Sequence, residues 1–237
     1  MALACALAAA FLFMPLAAAS GLQVSPIGLR LASAAQADAL WLTNTGSEPV
    51  HAQVRVFRWS QVDGKDVLEP SRDLVVSPPM VTIAPGDRQM VRVIRQVPAP
   101  SATEASYRVI VDELPIDAGD HPGLKFVLRY SVPVFLTPMG DPSVKAALQA
   151  SWDDAPDGPR LRVSNAGNGH AQIADLVWRG AKGQHTVLLA GLVGYALPGS
   201  TMSWRLPPGA SHAGGTVKAR INGETSESTL VVDPDGR

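Results

Sequence analysis

The stretch Leu124–Pro138 limits the fold of this chain more than any other part of its sequence. Every even position from 124 to 134 is apolar or aromatic, whereas the odd positions include Lys125, Arg129 and Ser131. An alternation with a period of two residues is typical of a β-strand that buries one face. Pro133 lacks the N–H that a sheet ladder needs, which favours a strand at a sheet edge or a bulge. The pattern therefore predicts a long edge strand.

A long apolar edge strand has two interpretations. It exposes a row of unpaired N–H and C=O groups, to which a strand of another protein can add. An ordinary strand that turns its apolar face toward its own core shows the same alternation. The stretch alone favours the core-facing strand, and the partner-binding edge stays open as the alternative.

The composition indicates an all-β globular protein. Of the 237 residues, 46% are hydrophobic, and glycine (21) and proline (20) are abundant. No segment shows sustained helical spacing of apolar residues, so many short strands joined by turns are expected. The formal net charge is −1, which points to no nucleic-acid partner and to no binding at an anionic membrane.

Residues 1–20 have the composition of a signal peptide. An apolar run ends in Ala17-Ala18-Ala19-Ser20, and small residues at that place suit cleavage after export. The run is too short for a convincing membrane span, so no membrane insertion is expected after its removal. Cys5, the only cysteine, lies inside it. The mature protein is therefore expected to fold without disulfides.

The first half of the mature chain, residues 21–138, predicts one immunoglobulin-like sandwich. Alternating segments separated by turn residues predict about seven strands, the count and spacing of such a domain. They cover residues 22–31 with a break near Pro26 and Gly28, 39–44, 50–59, 75–83, 89–95, 107–115 and 124–138.

Residues 139–237 predict a second domain of the same class. Pro138 and Pro142 enclose Gly140, a combination that suits a hinge between domains. Short strands are then predicted at residues 161–165, 171–178, 201–206, 216–222 and 230–232.

The sequence carries no recognisable catalytic or metal-binding pattern. The five histidines are scattered without ligand spacing, and no thiolate remains after Cys5 is removed, so no metal and no cofactor are expected. No Gly-x-Ser-x-Gly, Walker or Rossmann motif occurs. Asp112 and Glu113 are adjacent, but neighbours on a strand point to opposite faces. We expect a protein that is not an enzyme.

Taken in order, several motifs make the chain similar to the periplasmic chaperones of chaperone/usher pilus assembly, and to their archaic, spore-coat-like branch. The motifs are Gly28-Leu29-Arg30, Leu42–Pro49, Ser77-Pro78-Pro79, Pro85-Gly86 with Gln89–Arg92, Tyr107–Pro115, Arg129–Phe135, Asn165–His170 and Gly191–Trp204. The resemblance covers nearly the whole mature chain. It implies two immunoglobulin-like domains arranged as a boomerang and located in the periplasm.

The resemblance also implies a role for the long edge strand. In this family the strand completes the sheet of a pilus subunit that lacks its last strand, and the chaperone delivers the subunit to an outer-membrane usher. Carried over by position, the inserted residues are Leu124, Phe126 and Leu128, with Tyr130 as a fourth candidate. The implied partners are pilus subunits and the usher.

A third implication is a site for the subunit's C-terminal carboxylate, which the family holds with an arginine of the first strand and a lysine of the donor strand. Arg30 matches the arginine, but Pro133 occupies the place of the lysine. Arg129 is the first candidate for the second cation and Arg92 the other, because a guanidinium can bind a carboxylate in two places. Backbone N–H groups beside Arg30 are the alternative.

One departure from the family concerns the link between the domains. Glu113 matches an acidic residue that pairs across them, but Thr137 stands in the place of its arginine partner. The link is therefore expected to be built differently.

Another exported two-domain sandwich, such as an adhesin, a carbohydrate-binding module or a structural subunit, is the alternative function. A carbohydrate-binding module needs exposed aromatic platforms, and only 5% of the residues are aromatic. A neighbouring usher gene would decide between the two functions.

Overall fold

The structure, a computed structural model, describes residues 21–115, 127–140, 143–210, 213–230 and 232–233. Within these ranges all regular secondary structure is β-strand, so the all-β prediction is confirmed. The described residues hold no helix that is long and apolar enough to cross a membrane. The predicted signal peptide and the predicted donor residues Leu124 and Phe126 lie outside the described residues.

The first sandwich is built from the strands between Leu22 and Leu136. These are β1 (Leu22–Ser25), β2 (Leu29–Leu31), β3 (Ala37–Asn44), β4 (Val50–Val62), β5 (Lys65–Pro70), β6 (Leu74–Ser77), β7 (Met80–Ile83), β8 (Arg88–Arg95), β9 (Ala105–Leu114) and β10 (Arg129–Leu136). One sheet has the order β1-β3-β8-β6, and the other has the order β2-β10-β9-β4-β5 with β7 paired to β4.

The second sandwich is built from the strands that follow Leu148. These are β11 (Leu148–Ala155), β12 (Gly158–Asn165), β13 (Ala171–Gly180), β14 (His185–Ala196), β15 (Thr201–Arg205), β16 (Gly215–Ile221), β17 (Glu227–Leu230) and β18 (Val232–Asp233). Its sheets have the orders β15-β12-β11-β18 and β14-β13-β16-β17. The expectation of two sandwiches is confirmed, and the exact boundary at residue 138 stays a prediction.

Each sandwich encloses its own apolar core. In β10 the even residues Val132, Val134 and Leu136 belong to the first core, whereas Arg129 and Ser131 are exposed on the opposite face. The alternation that predicted a strand therefore places half of β10 against the chain's own core, as the core-facing interpretation expects.

One edge of β10 is partly open. The strand pairs with β9 along its whole length, from Arg129 to Leu136, but with β2 only from Val134 to Leu136. Among the described residues nothing pairs with the other edge of residues 129–133. The prediction of an edge strand thus holds for the first part of β10, which includes Pro133.

Candidate binding edge and interdomain cleft

The apolar row of β10 continues past the last side chain that it gives to the core. Tyr130 packs against the first core, and Leu128, two residues earlier, is 37% exposed. Leu128 is still held beside β9, because its carbonyl accepts from the N–H of Glu113 at 2.9 Å and its N–H donates to Glu113 Oε2 at 3.1 Å. The row therefore leaves the core between Tyr130 and Leu128.

Tyr130 links the two sheets of the first sandwich. Its hydroxyl donates to the carbonyl of Leu22 on β1. Burial raises the pKa of Tyr130, and the negative charge of Glu113 adds to the shift. The side chain thus stabilises its own domain, and its insertion into a partner stays a prediction, as it does for Leu128.

A cleft of about 730 Å³ lies between the two sandwiches. Part of its lining is the outer face of β10, where Pro133 and Phe135 alternate with the core residues. Phe135 is paired with Arg30 of β2, and Pro133 with Arg108 of β9. Residues paired across strands point to the same face, so Arg30 and Arg108 flank β10 on the cleft side. Since β2 and β9 lie on opposite sides of β10, the Cα atoms of Arg30 and Arg108 are about 10 to 12 Å apart, a span that two arginine side chains can close over one ligand.

Arg108 is a half-buried cation that packs against two aromatic rings. Its guanidinium carbon lies 3.7 Å from the ring centroid of Trp59 and 5.0 Å from that of Tyr195. Its Nη1 donates to the carbonyl of Ser131 at 3.4 Å. Burial lowers the pKa of Arg108, but an arginine stays charged at neutral pH. Stacking leaves the edge of the guanidinium plane, with its N–H groups, accessible to an anion.

The cleft has more positive than negative charge. Within the part of the chain that the structure describes, neither Arg30 nor Arg108 forms an ion pair. Asp66 also lines the cleft and its charge acts on Arg108, but its Oδ1 is bound by Trp59 Nε1 and Gln61 Nε2, both at 2.9 Å, and one carboxylate faces two guanidinium groups. The arrangement is therefore suited to an anionic ligand.

Arg129 lies in a different group of charges. Its Nε donates to Asp112, and Arg55 Nη2 donates to the same carboxylate at 2.6 Å. Burial opposes ionisation of Asp112, but the two guanidinium groups outweigh it and hold the pKa of this carboxyl below its ordinary value. Arg129 therefore already has an anionic partner, which distinguishes it from the arginines of the cleft.

Arg92 lies on β8, in the other sheet of the first sandwich. The structure thus brings neither Arg92 nor Arg129 to the lining of the cleft, and their predicted anchoring roles receive no support from its geometry. Arg108, which the sequence did not single out, is the cation that accompanies Arg30. Its proximity follows from the pairing of β9 with β10, and the motif that contains it, Tyr107–Pro115, gave it no anchoring role.

Apolar and polar contacts join the sandwiches beside the cleft. Trp59 and Phe135 from the first sandwich pack with Tyr195 and Leu197 from the second. Gln61 adds a two-point contact, because its Nε2 donates to the carbonyl of Tyr195 and its Oε1 accepts from the N–H of Leu197, both at 2.9 Å. These contacts fix the second sandwich against β4 and β10.

A buried pair supplies a further link. Glu104 Oε1 lies 2.5 Å from His170 Nδ1, and both side chains are almost fully buried. Thr137 donates its N–H to the carbonyl of Leu31 at 2.9 Å, within the first sandwich. The link between the domains is therefore built from Glu104, His170 and Gln61. It does not use Thr137, which stands in the place of the family's arginine.

In the described ranges no cluster of three or more His, Cys, Asp or Glu side chains could hold a metal ion.

Comparison with protein families matches residues 21–141 to the pili and flagellar-assembly chaperones, through the PapD N-terminal domain. This chain belongs to that family. The matched range contains all ten strands of the first sandwich, together with both cleft arginines. A search of curated protein sequences finds no match.

Solved structures of pilus chaperones share the fold of this family member. A chain from the pre-assembly complex of the chaperone CsuC with the tip adhesion subunit CsuE, from the archaic Csu pili of Acinetobacter baumannii, is 26% identical with a TM-score of 0.72, covering 89% of this chain and 97% of that chain. The CupB2 chaperone of Pseudomonas aeruginosa is 16% identical with a TM-score of 0.58, covering 87% and 97%. A chain from the SafA pilin–SafB chaperone complex of Salmonella enterica is 15% identical with a TM-score of 0.64, covering 90% and 97%.

Proposed function

We propose that this chaperone works in the periplasm, binds pilus subunits by donor-strand complementation and delivers them to an outer-membrane usher. Membership of the family supports the chaperone role, and the signal peptide predicted at residues 1–20 supports the periplasm. The observation that carries subunit binding is the open edge of β10 at residues 129–133, preceded by an apolar row that has left the core at Leu128.

The row supplies what an incomplete subunit lacks. A sandwich without its last strand has an open edge and an apolar groove, and an added strand satisfies both. Leu124, Phe126 and Leu128 have the same parity, so on an extended strand they project on one face about 7 Å apart. Burying each side chain in the groove contributes roughly 1.5 to 3 kcal/mol.

The position of β2 sets the direction of the added strand. From Val134 onward β2 occupies the edge of β10, so a subunit strand has room only beside the preceding residues. If the subunit's C-terminal carboxylate binds Arg30, the added strand must begin near Leu128 and end at β2. The bound strand is then parallel to β10, and its carboxylate lies within reach of both Arg30 and Arg108.

Co-expression with the pilus subunit encoded beside this gene tests the proposal. Phe126→Asp and Leu128→Asp place a charge in an apolar groove, so the subunit should no longer co-purify while the chaperone stays folded. Val75→Asp is the matched control, because Val75 is 38% exposed on the other sheet and Leu128 is 37% exposed. Normal binding by Leu128→Asp, or its unfolding, would remove Leu128 from the donated row.

A further inference from the structure

The cleft combines its two cations with exposed apolar side chains. Ile27 is 85% exposed and Leu192 is 60% exposed, more than any other large apolar side chain in the described residues. Both line the same cleft as Arg30 and Arg108. Single exposed apolar residues are common on protein surfaces, but two beside an anion-binding pair indicate a surface that a partner covers.

Ile27 lies where an added strand would end. The next residue, Gly28, lies beside β10, since a Cβ there would be at an ordinary contact distance of 3.5 Å from Cγ of Pro133. Ile27 is therefore beside the last open position of the edge, just before β2 begins. A subunit strand that ends at this point brings its last residue next to Ile27.

The second sandwich supplies the facing wall. Leu192 belongs to β14, and Gly194 on the same strand lies under the indole of Trp204, where a Cβ would be only 2.8 Å from Nε1. Gly194 also has a φ of 156°, a conformation that favours glycine. The bare backbone at Gly194 lets Trp204 lie against β14 and, with Met202, extend the apolar wall of the cleft.

We propose that the second sandwich recognises the side chain of the subunit's C-terminal residue. The subunit's carboxylate binds Arg30 and Arg108, while a large apolar side chain on the same residue packs between Ile27 and Leu192, toward Trp204. This inference rests on the proposed function. The volume of the cleft supports it, because a carboxylate alone fills only a small part of about 730 Å³. Apolar side chains that the ligand leaves uncovered contribute nothing to its affinity.

The test compares two versions of the subunit encoded beside this gene, one with its own last residue and one with glycine there. Leu192→Ser should weaken binding of the natural subunit about tenfold, as expected for losing the burial of one large apolar side chain. The same variant should barely change binding of the glycine version, because that version has no side chain to pack. Val187→Ser on the same strand is the control, since Val187 is 52% exposed and does not line the cleft.

The outcomes separate this inference from the proposed function. Equal losses for both versions of the subunit, or a natural subunit that ends in a charged residue or glycine, would overturn it while leaving chaperone activity intact. Failure of the wild-type chaperone to bind the natural subunit would overturn the proposed function and this inference with it. Unfolding curves of each variant, measured without the subunit, should match the wild type because the replaced side chains are exposed.

Discussion

Phe135 of β10 stacks on the imidazole of His170 with ring centroids 3.5 Å apart and planes inclined by 3°. Phe135 is paired with Arg30, whereas His170 immediately precedes β13 of the second sandwich. Any movement of one sandwich against the other would break this contact directly beside an arginine of the cleft. The arrangement of the two domains and the shape of the cleft beside Arg30 are therefore coupled.

His170→Ala should destabilise the chaperone by about 2 to 4 kcal/mol, because it removes the stack and leaves Glu104 buried without its imidazole partner. The free energy of unfolding from urea titration of the mature chain measures the effect. His185→Ala is the control at an exposed position of β14 and should cost less than about 0.5 kcal/mol. Equal costs for the two variants would show that the buried pair makes no net contribution.

Gln61→Leu should loosen the two sandwiches without disturbing either core. The substitution keeps the size of the side chain but leaves the carbonyl of Tyr195 and the N–H of Leu197 without their partner, at a cost of about 1 to 3 kcal/mol. Small-angle scattering should show a broader distribution of interdomain distances, and subunit affinity should fall. Gln23→Leu, at an exposed position of β1, should change neither. An unchanged scattering profile for Gln61→Leu would mean that the apolar contacts alone hold the domains.

Much of this fold could be predicted because its strands follow local rules. The break at Pro26 and Gly28, the turn after Val62 and the alternation in β10 are all visible in the sequence, and the structure has strand ends or strands at each of them. β5, β11, β14 and most of β17 were not predicted. β5, Lys65–Pro70, is exposed along most of its length, so it needs no apolar alternation, and in β11, Leu148–Ala155, polar and acidic residues obscure the pattern.

The cleft was harder to predict than the strands. Arg30 came from a local motif, but the position of Arg108 depends on the register of β9 against β10 and on an aromatic ring from the second sandwich. Neither relationship has a local sequence signal. Arg129 was preferred because it lies on the donor strand, and its ion pair with Asp112 becomes visible only when β9 and β10 are aligned.

Tyr107→Phe should change the response of stability to alkaline pH. Burial raises the pKa of Tyr107 to about 12, with a further contribution from its hydrogen bond to Asp73, against 10.0 for the ordinary side chain. The folded state thus holds this proton more tightly than the unfolded state. Its contribution is complete below pH 10 and is lost as the pH rises toward 12.

Urea titrations of the wild type and Tyr107→Phe between pH 9 and about 12 measure this difference. The wild type should lose stability more steeply than the variant, because phenylalanine has no proton to release. Tyr195→Phe is the control for a tyrosine at the domain junction. Parallel curves for the wild type and Tyr107→Phe would contradict the assignment of the alkaline loss to Tyr107.

Arg30 and Arg108 should act together on the subunit's carboxylate. Arg30→Gln and Arg108→Gln should each weaken subunit binding by about 2 to 5 kcal/mol, because each removes one charged partner from a buried carboxylate. The double variant should lose less than the sum of the two single losses, since both side chains bind one group. With a subunit whose C-terminus is amidated, all three losses should shrink.

Arg92→Gln and Arg129→Gln are the controls. Neither should affect binding of either subunit, because Arg92 lies in the other sheet and Arg129 is paired with Asp112. Coupling of Arg30 to Arg129 in place of Arg108 would return the second anchor to the donor strand and would require Arg129 to leave Asp112 when the subunit binds.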